Sequence, residues 1–263
     1  MPISQLLKGP LILLFLAIVA RIPLRPSRTF GRLLGKVALT LEVRSCKVAR
    51  KNLTHCFPAL DERSTELILH ERMLHMGQML FETPRVWHKS ADWLKNHIIN
   101  VKGMHVFNEA LESDKGIILL VPHQGNWEVV GLWIADKAAI TSLYEPPKIR
   151  ALEDWVKTSR QHSGAKLVPT NSRGVAELLQ ALKRGETIGI LPDQQPPSNA
   201  GAFAPLFGKP AMTMTLVHKL LKRCEANVLF CTALRISGGW NIHFTLADPA
   251  IHSANQDESV SAL

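Results

Sequence analysis

The sequence lacks several features that would assign the protein to a common class. Its four cysteines, at positions 46, 56, 224 and 231, include no C-x-x-C pair, which argues against a zinc knuckle or a disulfide framework and favours a reducing compartment. The chain contains no internal repeat and no low-complexity tract, and its 46% hydrophobic content over 263 residues excludes disorder for most of its length. We therefore predict one globular domain with an appendage.

Acidic residues are nearly absent from the first 60 positions. That segment holds ten of the 31 lysines and arginines but a single acid, Glu42, so it accounts for the whole net charge of +9 and leaves 21 residues of each sign in the rest of the chain. A uniformly basic chain would favour nucleic acid as a partner, whereas a basic segment beside a hydrophobic one favours an anionic membrane surface. We therefore expect contact with anionic lipid and no nucleic-acid partner.

The hydrophobic segment, Pro10 to Ala20, is short. Eleven helical residues reach about 17 Å, whereas the hydrocarbon core of a bilayer is about 30 Å thick. No small-x-small cleavage site precedes the basic stretch that begins at Arg21, which argues against a signal peptide. We expect residues 1–26 to form an N-terminal membrane anchor, single-pass or lying in the interface, with its basic flank on the cytoplasmic side; the alternative is a short core helix.

Two helices are expected after the anchor. Apolar residues recur at helical spacing over residues 28–51, which predicts an amphipathic helix near the membrane, and a second helix is predicted over 61–82. The second helix carries His70 and His75. Because these histidines are five residues apart rather than four, they do not share one helical face, and we predict no metal site.

Strand and helix patterns alternate after residue 103. We predict helices at 104–113, 126–137, 148–162, 173–184 and 213–224, and strands at 117–122, 140–144, 166–169, 187–191, 227–235 and 240–246. The Pro-rich stretch 193–212 is predicted to be a polar loop at a strand end. Alternation of this kind predicts an α/β fold, with a central sheet and helices on both of its faces.

The most informative segment is His123-Gln-Gly-Asn-Trp-Glu128, which directly follows the apolar run 117–122. A buried strand that ends in a histidine and turns at Gly125 into a helix would bring imidazole and carboxylate together at the rim of a sheet. The same spacing occurs twice more in the chain, but only here does an apolar strand pass to a helix. We interpret His123 as a general base and Glu128 as its orienting acid; in the alternative interpretation, Glu128 caps a helix and His123 is a satisfied polar group.

Three further segments are expected at the same edge of the sheet. They contain Tyr144 with Lys148, the helix start at Arg173, and Asp193 with Gln194. A helix N-terminus that carries an arginine suits a phosphate or a carboxylate, although a solvated surface arginine is the alternative. Asp193 directly follows an apolar strand, where it would bind a sugar hydroxyl, orient a basic side chain, or simply begin the loop.

Taken together, these motifs resemble those of the bacterial lipid A biosynthesis acyltransferases, a family related to the glycerolipid acyltransferases. The matching segments are Ala49-Arg50-Lys51-Asn52-Leu53 with Phe57-Pro58, His123 to Glu128, Tyr144 with Pro146-Pro147, Leu182 to Glu186, Leu191 to Gln194, and Phe207 to Ala211 with Thr213. The central His-x-Gly-Asn-Trp-Glu motif is highly specific, and the others are individually weak but follow the family order. The resemblance implies a glycerolipid acyltransferase-like domain over residues 27–263, with a central mixed sheet flanked by helices.

The resemblance also implies an activity. A fatty acyl chain would pass from an acyl carrier protein thioester to a hydroxyl of a Kdo-bearing lipid A precursor, at the cytoplasmic face of the inner membrane and without cofactor or metal. His123 would deprotonate the hydroxyl, and Glu128 would hold the imidazole tautomer. The candidate substrate-binding residues are Asn126, Tyr144, Lys148, Arg173, Asp193 and Gln194.

Three details qualify that expectation. Cys224 and Cys231 have no histidine beside them in sequence, so no covalent acyl-enzyme is expected, and the backbone N–H groups of the turn at Gly125 are expected to serve the oxyanion. Glu145 stands where a basic residue is expected after Tyr144. Family members continue with another helix, so a shortened C-terminal end is expected here.

The alternatives are another glycolipid or phosphoglycolipid acceptor, or a non-catalytic membrane-attached α/β binding protein.

Overall fold

The computed structural model describes residues 3–147 and 152–263. The chain forms two compact units. The α/β unit comprises Met1–Pro10, Lys89–Pro205 and Pro210–Leu263, and the helical unit comprises Leu11–His88 with Leu206–Lys209. Lys148, one of the predicted substrate-binding residues, lies outside the described residues.

The N-terminal part of the chain is helical. Its helices are α1 (Ile3–Arg21), α2 (Leu24–Thr40), α3 (Arg44–Cys56) and α4 (Glu62–His88). The single helix predicted over residues 28–51 is therefore wrong, because α2 ends where Glu42 takes a left-handed φ of 43° and α3 begins after that turn. The helix predicted over 61–82 is confirmed as α4, which continues to His88.

Small residues mediate the packing of α2 on α4. Ser27, Gly31 and Gly35 are the buried positions of this face, and an added Cβ at Gly31 would lie 2.6 Å from the Cα of Gln78. Glycine therefore allows the two helix backbones to approach closely. Large apolar side chains elsewhere on the surface of α2 form its exposed outer face, namely Phe30, Leu33, Leu34 and Val37, and the exposed Leu41 directly follows the helix. The helix is amphipathic, as predicted, but its large apolar face is the exposed one.

The segment predicted as an N-terminal anchor, residues 1–26, contains α1, which leaves Leu11, Leu14, Phe15 and Ile18 exposed. Over residues 3–147 and 152–263, no helix has both the length and the apolar character needed to cross a membrane.

The α/β unit alternates strands and helices. Residues 206–209 belong to the helical unit but join two strands of this α/β unit. Its helices are α5 (Ala91–Lys95), α6 (Met104–Glu112), α7 (Trp127–Ala135), α8 (Glu153–Gln161), α9 (Ser172–Lys183), α10 (Leu216–Leu221) and α11 (Gln256–Ser261). Its strands are β1 (Ile98–Lys102), β2 (Gly116–Leu120), β3 (Ile140–Tyr144), β4 (Lys166–Pro169), β5 (Thr187–Ile190), β6 (Gly201–Leu206), β7 (Lys209–Met214), β8 (Ala226–Ile236) and β9 (Gly239–Leu246).

Within the described residues, seven strands form one sheet in the order β1-β9-β8-β2-β5-β3-β4. β8 and β9 pair antiparallel, and the other neighbouring strands pair parallel. The predicted α/β class with a central mixed sheet is thereby confirmed. β2 lies in the middle of the sheet and every one of its residues is buried, as expected for a strand covered on both faces.

The structure also contains strands that the sequence patterns do not indicate. The stretch predicted as a loop, 193–212, includes the hairpin β6–β7, whose glycine and two prolines, Gly201, Pro205 and Pro210, weaken the sequence signal for a strand. Proline is tolerated there because the hairpin is a separate two-stranded sheet. The helix predicted over 213–224 consequently begins only at Leu216.

Candidate active site

The turn after β2 places His123 at the carboxyl edge of the sheet. β2 ends at Leu120, and the chain turns at Gly125, whose φ is 70°, before α7 begins. An added Cβ at Gly125 would lie 2.1 Å from the carbonyl oxygen of Ala233 on β8, so glycine is required both by the backbone conformation and by the close approach. The backbone N–H of Asn126 donates to the same oxygen at 2.9 Å. The turn that carries His123 is thus tied to β8.

Asp193 holds the imidazole of His123. The imidazole Nδ1 lies 2.8 Å from Oδ1 of Asp193, and the backbone N–H of His123 donates to Oδ2 at 2.7 Å. The strand register explains the pairing: Leu120 of β2 lies beside Ile190 of β5, and His123 and Asp193 each follow three residues later. Because a carboxylate accepts at Nδ1, the neutral imidazole carries its proton there and presents its lone pair at Nε2.

The environment of Asp193 favours its ionised form. Burial raises the pKa of this carboxyl group, but the hydrogen bonds from the imidazole and the backbone N–H of His123 outweigh burial, and the pKa lies below its ordinary value of 3.8. An ionised carboxylate at Nδ1 stabilises the imidazolium that forms when Nε2 takes up a proton. The pair therefore has the electrostatics of a general base and its orienting acid.

Gln194 and Trp127 complete the surroundings of the imidazole. The side-chain Nε2 of Gln194 lies 3.1 Å from Nε2 of His123, where it donates to the imidazole lone pair. The ring of Trp127 meets the imidazole edge to face, with 4.4 Å between the ring centres. The amide N–H of Gln194 thus lies where a substrate hydroxyl would donate its proton to the base.

Glu128 has a different partner from the one predicted. It is 7% exposed on the first turn of α7, where Nη2 and Nε of Arg160 on α8 donate to its two oxygens at 2.5 and 3.0 Å. Burial lowers the pKa of Arg160, but the charge and the hydrogen bonds of Glu128 outweigh burial, so the pKa of Arg160 lies above its ordinary value. In this structure the contact at Nδ1 predicted for Glu128 comes from Asp193, in the loop after β5, while Glu128 binds Arg160.

A cavity of about 410 Å³ begins beside these groups. Gln194 and Val121 line it at the carboxyl edge of the sheet, and Ile140, the first residue of β3, lines its far part. The lining residues on β3 run from Ile140 to Leu143, and each residue of a strand rises about 3.3 Å, so the cavity extends for about 10 Å along β3. Most of the lining is apolar, although the Glu128–Arg160 pair also contributes to the wall. The size and lining are those of a small-molecule site.

Three other predicted binding residues, Asn126, Tyr144 and Arg173, have different surroundings. Asn126 is fully buried, and its backbone N–H donates to the carbonyl oxygen of Ala233. This N–H is therefore not free to bind an oxyanion, in contrast to the prediction. Tyr144 is buried at the end of β3, with the guanidinium of Arg160 5.8 Å from its ring centre. Arg173 is exposed on the first turn of α9 and is not among the residues that line the cavity.

Two arginines contribute to the site without any sequence motif. Arg160 binds Glu128, 32 positions away, and Arg235 on β8 donates from Nη2 to the carbonyl oxygen of Gly125 at 3.1 Å. Their partners are distant in sequence, so only the amphipathic pattern of the segment around Arg160 signals a helix there. Glu145, where a basic residue is expected, accepts a hydrogen bond from Thr170, and both residues line the cavity.

The cysteines lie in surroundings that disfavour a thiolate. Burial raises the pKa of the Cys231 thiol far above its ordinary value, and burial also raises the pKa of Cys224 despite the opposing charge of Lys183. A protonated thiol is a weak nucleophile. In the part of the chain that the structure describes, no group of three or more His, Cys, Asp or Glu side chains is arranged to hold a metal ion.

Comparison with known proteins connects this geometry to a family. The family described as bacterial lipid A biosynthesis acyltransferase matches residues 6–262. A lipid A biosynthesis acyltransferase of Haemophilus influenzae is 28% identical over 228 residues, which cover 83% of this chain and 70% of the relative. In Escherichia coli, the lipid A biosynthesis palmitoleoyltransferase is 24% identical over 88% of this chain and 75% of its own, and the lauroyltransferase is 26% identical over 81% and 68%.

Proposed function

The chain belongs to the bacterial lipid A biosynthesis acyltransferase family, and from that premise we propose that it transfers a fatty acyl chain from acyl carrier protein to a hydroxyl of a Kdo-bearing lipid A precursor. The observation that carries the proposal is the hydrogen-bonded chain Asp193–His123–Gln194 at the mouth of a largely apolar cavity. A base with a directed lone pair lies next to a space suited to an alkyl chain.

In the proposed reaction, Nε2 of His123 takes the proton of the acceptor hydroxyl as its oxygen attacks the thioester carbonyl. Asp193 holds the proton on Nδ1 and stabilises the imidazolium. The tetrahedral intermediate collapses with release of the carrier thiolate, which takes the proton back from the imidazolium. No enzyme nucleophile is needed, consistent with the raised pKa values of Cys224 and Cys231.

Gln194 has a specific place in this sequence of events. Its amide N–H donates to the same lone pair that the acceptor hydroxyl must reach. The lone pair of Nε2 accepts one strong hydrogen bond, so the hydroxyl of the lipid substrate displaces the Gln194 amide when the lipid binds. Gln194 therefore marks the position of the reacting hydroxyl.

We retain Glu128 in the proposed site, in a revised role. Its carboxylate is buried and binds the Arg160 guanidinium through two hydrogen bonds, and both side chains line the cavity. Glu128 thus acts as a positioning residue that fixes a cation in the cavity wall. Asn126, Tyr144, Lys148 and Arg173 stay predicted substrate-binding residues; the ring centre of Tyr144 lies 5.8 Å from the guanidinium of Arg160.

We further propose that the protein binds the cytoplasmic face of the inner membrane through the exposed apolar faces of α1 and α2. Ser27, Gly31 and Gly35 form a small-xxx-small pattern on the inner face of α2, an arrangement that is common where helices pack in membranes. The outer face carries four large apolar residues, with Leu41 directly after the helix, and Arg25, Arg32 and Lys36 of the same helix are also exposed. Apolar area flanked by lysine and arginine favours an anionic lipid interface.

The division into an anchor over 1–26 and an acyltransferase domain over 27–263 stays a prediction.

Mass spectrometry tests the proposed reaction. The purified protein is incubated with acyl carrier protein thioesters of several chain lengths and with the Kdo-bearing precursor, and the lipid product is analysed. We expect the addition of one acyl chain by the wild type and a fall of about 10³-fold with His123→Ala, since general base catalysis contributes about 10²–10⁴-fold. Unchanged transfer by His123→Ala would contradict the mechanism.

The acceptor is tested in the same assay. Glycerolipid and other glycolipid acceptors are supplied in parallel with the lipid A precursor. Transfer to one of these and not to the precursor would favour the alternative acceptor class. Absence of transfer to every acceptor by the folded wild type would favour a membrane-attached binding protein without catalysis.

Vesicle flotation tests the membrane contact. We expect the wild type to float with vesicles that contain phosphatidylglycerol. The double variant Leu33→Gln/Val37→Gln should remain in the bottom fraction, because it removes two apolar contacts from the outer face of α2. Thr29→Gln/Thr40→Gln, at two exposed polar positions of the same helix, is the matched control and should float. Equal flotation of the two double variants would contradict this contact surface.

A further inference from the structure

We propose that Gly131 determines the length of the acyl chain that the cavity accepts. This inference rests on the proposed function, since it assigns the cavity to the alkyl tail of the acyl donor. It concerns one residue of α7 that lines the cavity one helical turn beyond the groups around His123.

The position of Gly131 follows from the geometry of α7. Trp127, whose ring contacts the imidazole of His123, lies on the first turn of the helix, and Gly131 follows four residues later, about 6 Å further along the axis. Residues four apart share a helical face, and both line the cavity. A chain attached at a thioester next to His123 and running toward Ile140 at the start of β3 therefore passes Gly131.

The space in front of Gly131 is open. Apart from its own helix and chain neighbours, no heavy atom lies within 4 Å of an added Cβ at this position. Gly189 of β5 also lines the cavity, but there an added Cβ would lie 2.7 Å from the Oγ of Ser142. A side chain at Gly131 would thus extend into the cavity, whereas one at Gly189 would collide with β3.

Backbone conformation does not explain a glycine at this position. Gly131 lies inside an α-helix and has no left-handed φ, in contrast to Gly125 in the turn before it. Glycine is a poor helix former, and alanine would be the better residue for α7. The absence of a side chain therefore has its structural effect in the cavity, where it leaves room for a ligand.

The walls around this space suit a hydrocarbon tail. Leu132 of α7, Ile140 and Leu143 of β3, and Leu167 of β4 line the same cavity. In a hydrophobic pocket, one methylene more or less changes the specificity ratio by about 10–200-fold. A side chain added at Gly131 would consequently penalise long acyl chains more than short ones.

Competition between donors tests the inference. Wild type, Gly131→Ala and Gly131→Leu are supplied with acyl carrier protein thioesters of increasing even chain length, and kcat/KM is measured for each. We expect the preferred chain to become shorter in the order wild type, Gly131→Ala, Gly131→Leu. With Gly131→Leu, the ratio of kcat/KM for the wild type's preferred chain to that for a chain two carbons shorter should fall at least about tenfold. Ala135→Leu, one turn further along α7 and outside the cavity, adds the same side chain to the same helix and should leave the ratio unchanged.

An unchanged ratio in Gly131→Leu, or an equal loss for all chain lengths, would overturn the role of Gly131 while leaving the proposed reaction standing. If the wild type transfers no acyl chain, the proposed function fails, and binding then decides the inference. Free fatty acids of the same lengths are titrated against the fluorescence of Trp127, with Trp127→Phe to assign the signal. Weaker binding of long chains by Gly131→Ala, with short chains unaffected, supports the inference; identical affinities overturn it.

Discussion

Two acid–base pairs lie on either side of the turn from β2 into α7, and their surroundings differ. Asp193 is 38% exposed at its side chain and binds an imidazole that is itself accessible, with one ring nitrogen directed to a replaceable amide. Glu128 is 7% exposed and binds Arg160 through both of its oxygens. We propose that the first pair exchanges a proton with the substrate, whereas both oxygens of the second carboxylate are engaged by the guanidinium of Arg160. The carboxylate nearest to a histidine in sequence is therefore not its partner in the fold.

Asp193→Asn should have the largest effect on kcat among these variants, because Asp193 belongs to the pair that contains the proposed base. The amide preserves the shape of the side chain but removes the charge that holds the proton on Nδ1 and stabilises the imidazolium. We expect kcat to fall by about 10³-fold or more, since the corresponding change in a serine protease triad costs about 10⁴-fold. The free energy of unfolding should fall only modestly, because the Asp193 side chain is 38% exposed and solvent screens part of its interaction with His123. Steady-state kinetics with chemical denaturation checks both quantities.

Loss of stability without loss of activity in Asp193→Asn would show that the aspartate has a structural role only. Asp248→Asn is the matched control, because Asp248 caps the turn at Pro249–His252 and lies outside the site. That variant should retain wild-type kcat.

The Glu128–Arg160 pair should behave as one structural unit. Removing either partner leaves the other charge partly buried, and we expect Glu128→Gln and Arg160→Gln each to reduce the free energy of unfolding by about 2 kcal/mol, below the 3–5 kcal/mol of a fully buried pair because Arg160 is 31% exposed. The double variant should cost clearly less than the sum of the single variants. Denaturation of the three variants gives the coupling free energy. Additive effects would contradict a mutual pair.

The pH dependence of stability should also distinguish the pairs. The pKa of Asp193 is lowered in the folded protein, so its stabilising contribution is present above the ordinary pKa of 3.8 and is lost as pH falls through the lowered value. The difference in unfolding free energy between wild type and Asp193→Asn should therefore be constant at neutral pH and shrink below about pH 4. Denaturation at a series of pH values measures this. A difference that grows on acidification would contradict an ionised Asp193 in the folded state.

Gln194→Ala should have the smallest effect. The amide makes one hydrogen bond to Nε2 of His123. In the proposed reaction, the hydroxyl of the lipid acceptor replaces it. A typical hydrogen bond contributes about 1 kcal/mol, which corresponds to a change of about fivefold. We expect kcat to stay within that range. A loss as large as that of Asp193→Asn would show that the amide acts in the transition state, and Gln195→Ala, at the next position, is the control.

Much of the fold could be predicted from the sequence because its signals are local. The strand–helix alternation after residue 103 produced the correct class, and the elements at 104–112, 140–144 and 166–169 lie where the patterns indicate. The elements that were missed depend on distant partners. β1 is only partly buried and pairs with β9, which lies about 140 positions later, and the prolines of β6–β7 conceal a hairpin.

The sequence predicts which residues belong to the candidate site better than it predicts which of them are in contact. Strand ends and motifs predict His123, Asp193 and Gln194 as site residues, and these three side chains contact one another in the structure. Their arrangement required the strand order, because β5 lies beside β2 only through a crossover that no local pattern specifies. Arg160 was not predicted, since nothing in the sequence of its helix marks the residue as a partner of Glu128.

The sequence by itself determined the turn after β2. An apolar strand, Gly125 and the start of α7 are local features, and the left-handed φ and close approach at Gly125 allow glycine alone. Tertiary structure decided which acid meets which base. The parallel register of β2 and β5 brings Asp193 to His123 across 70 positions, while α8 supplies Arg160 to Glu128. Hydrogen bonds depend on distance in space, and spacing along the chain limits that distance only within one element.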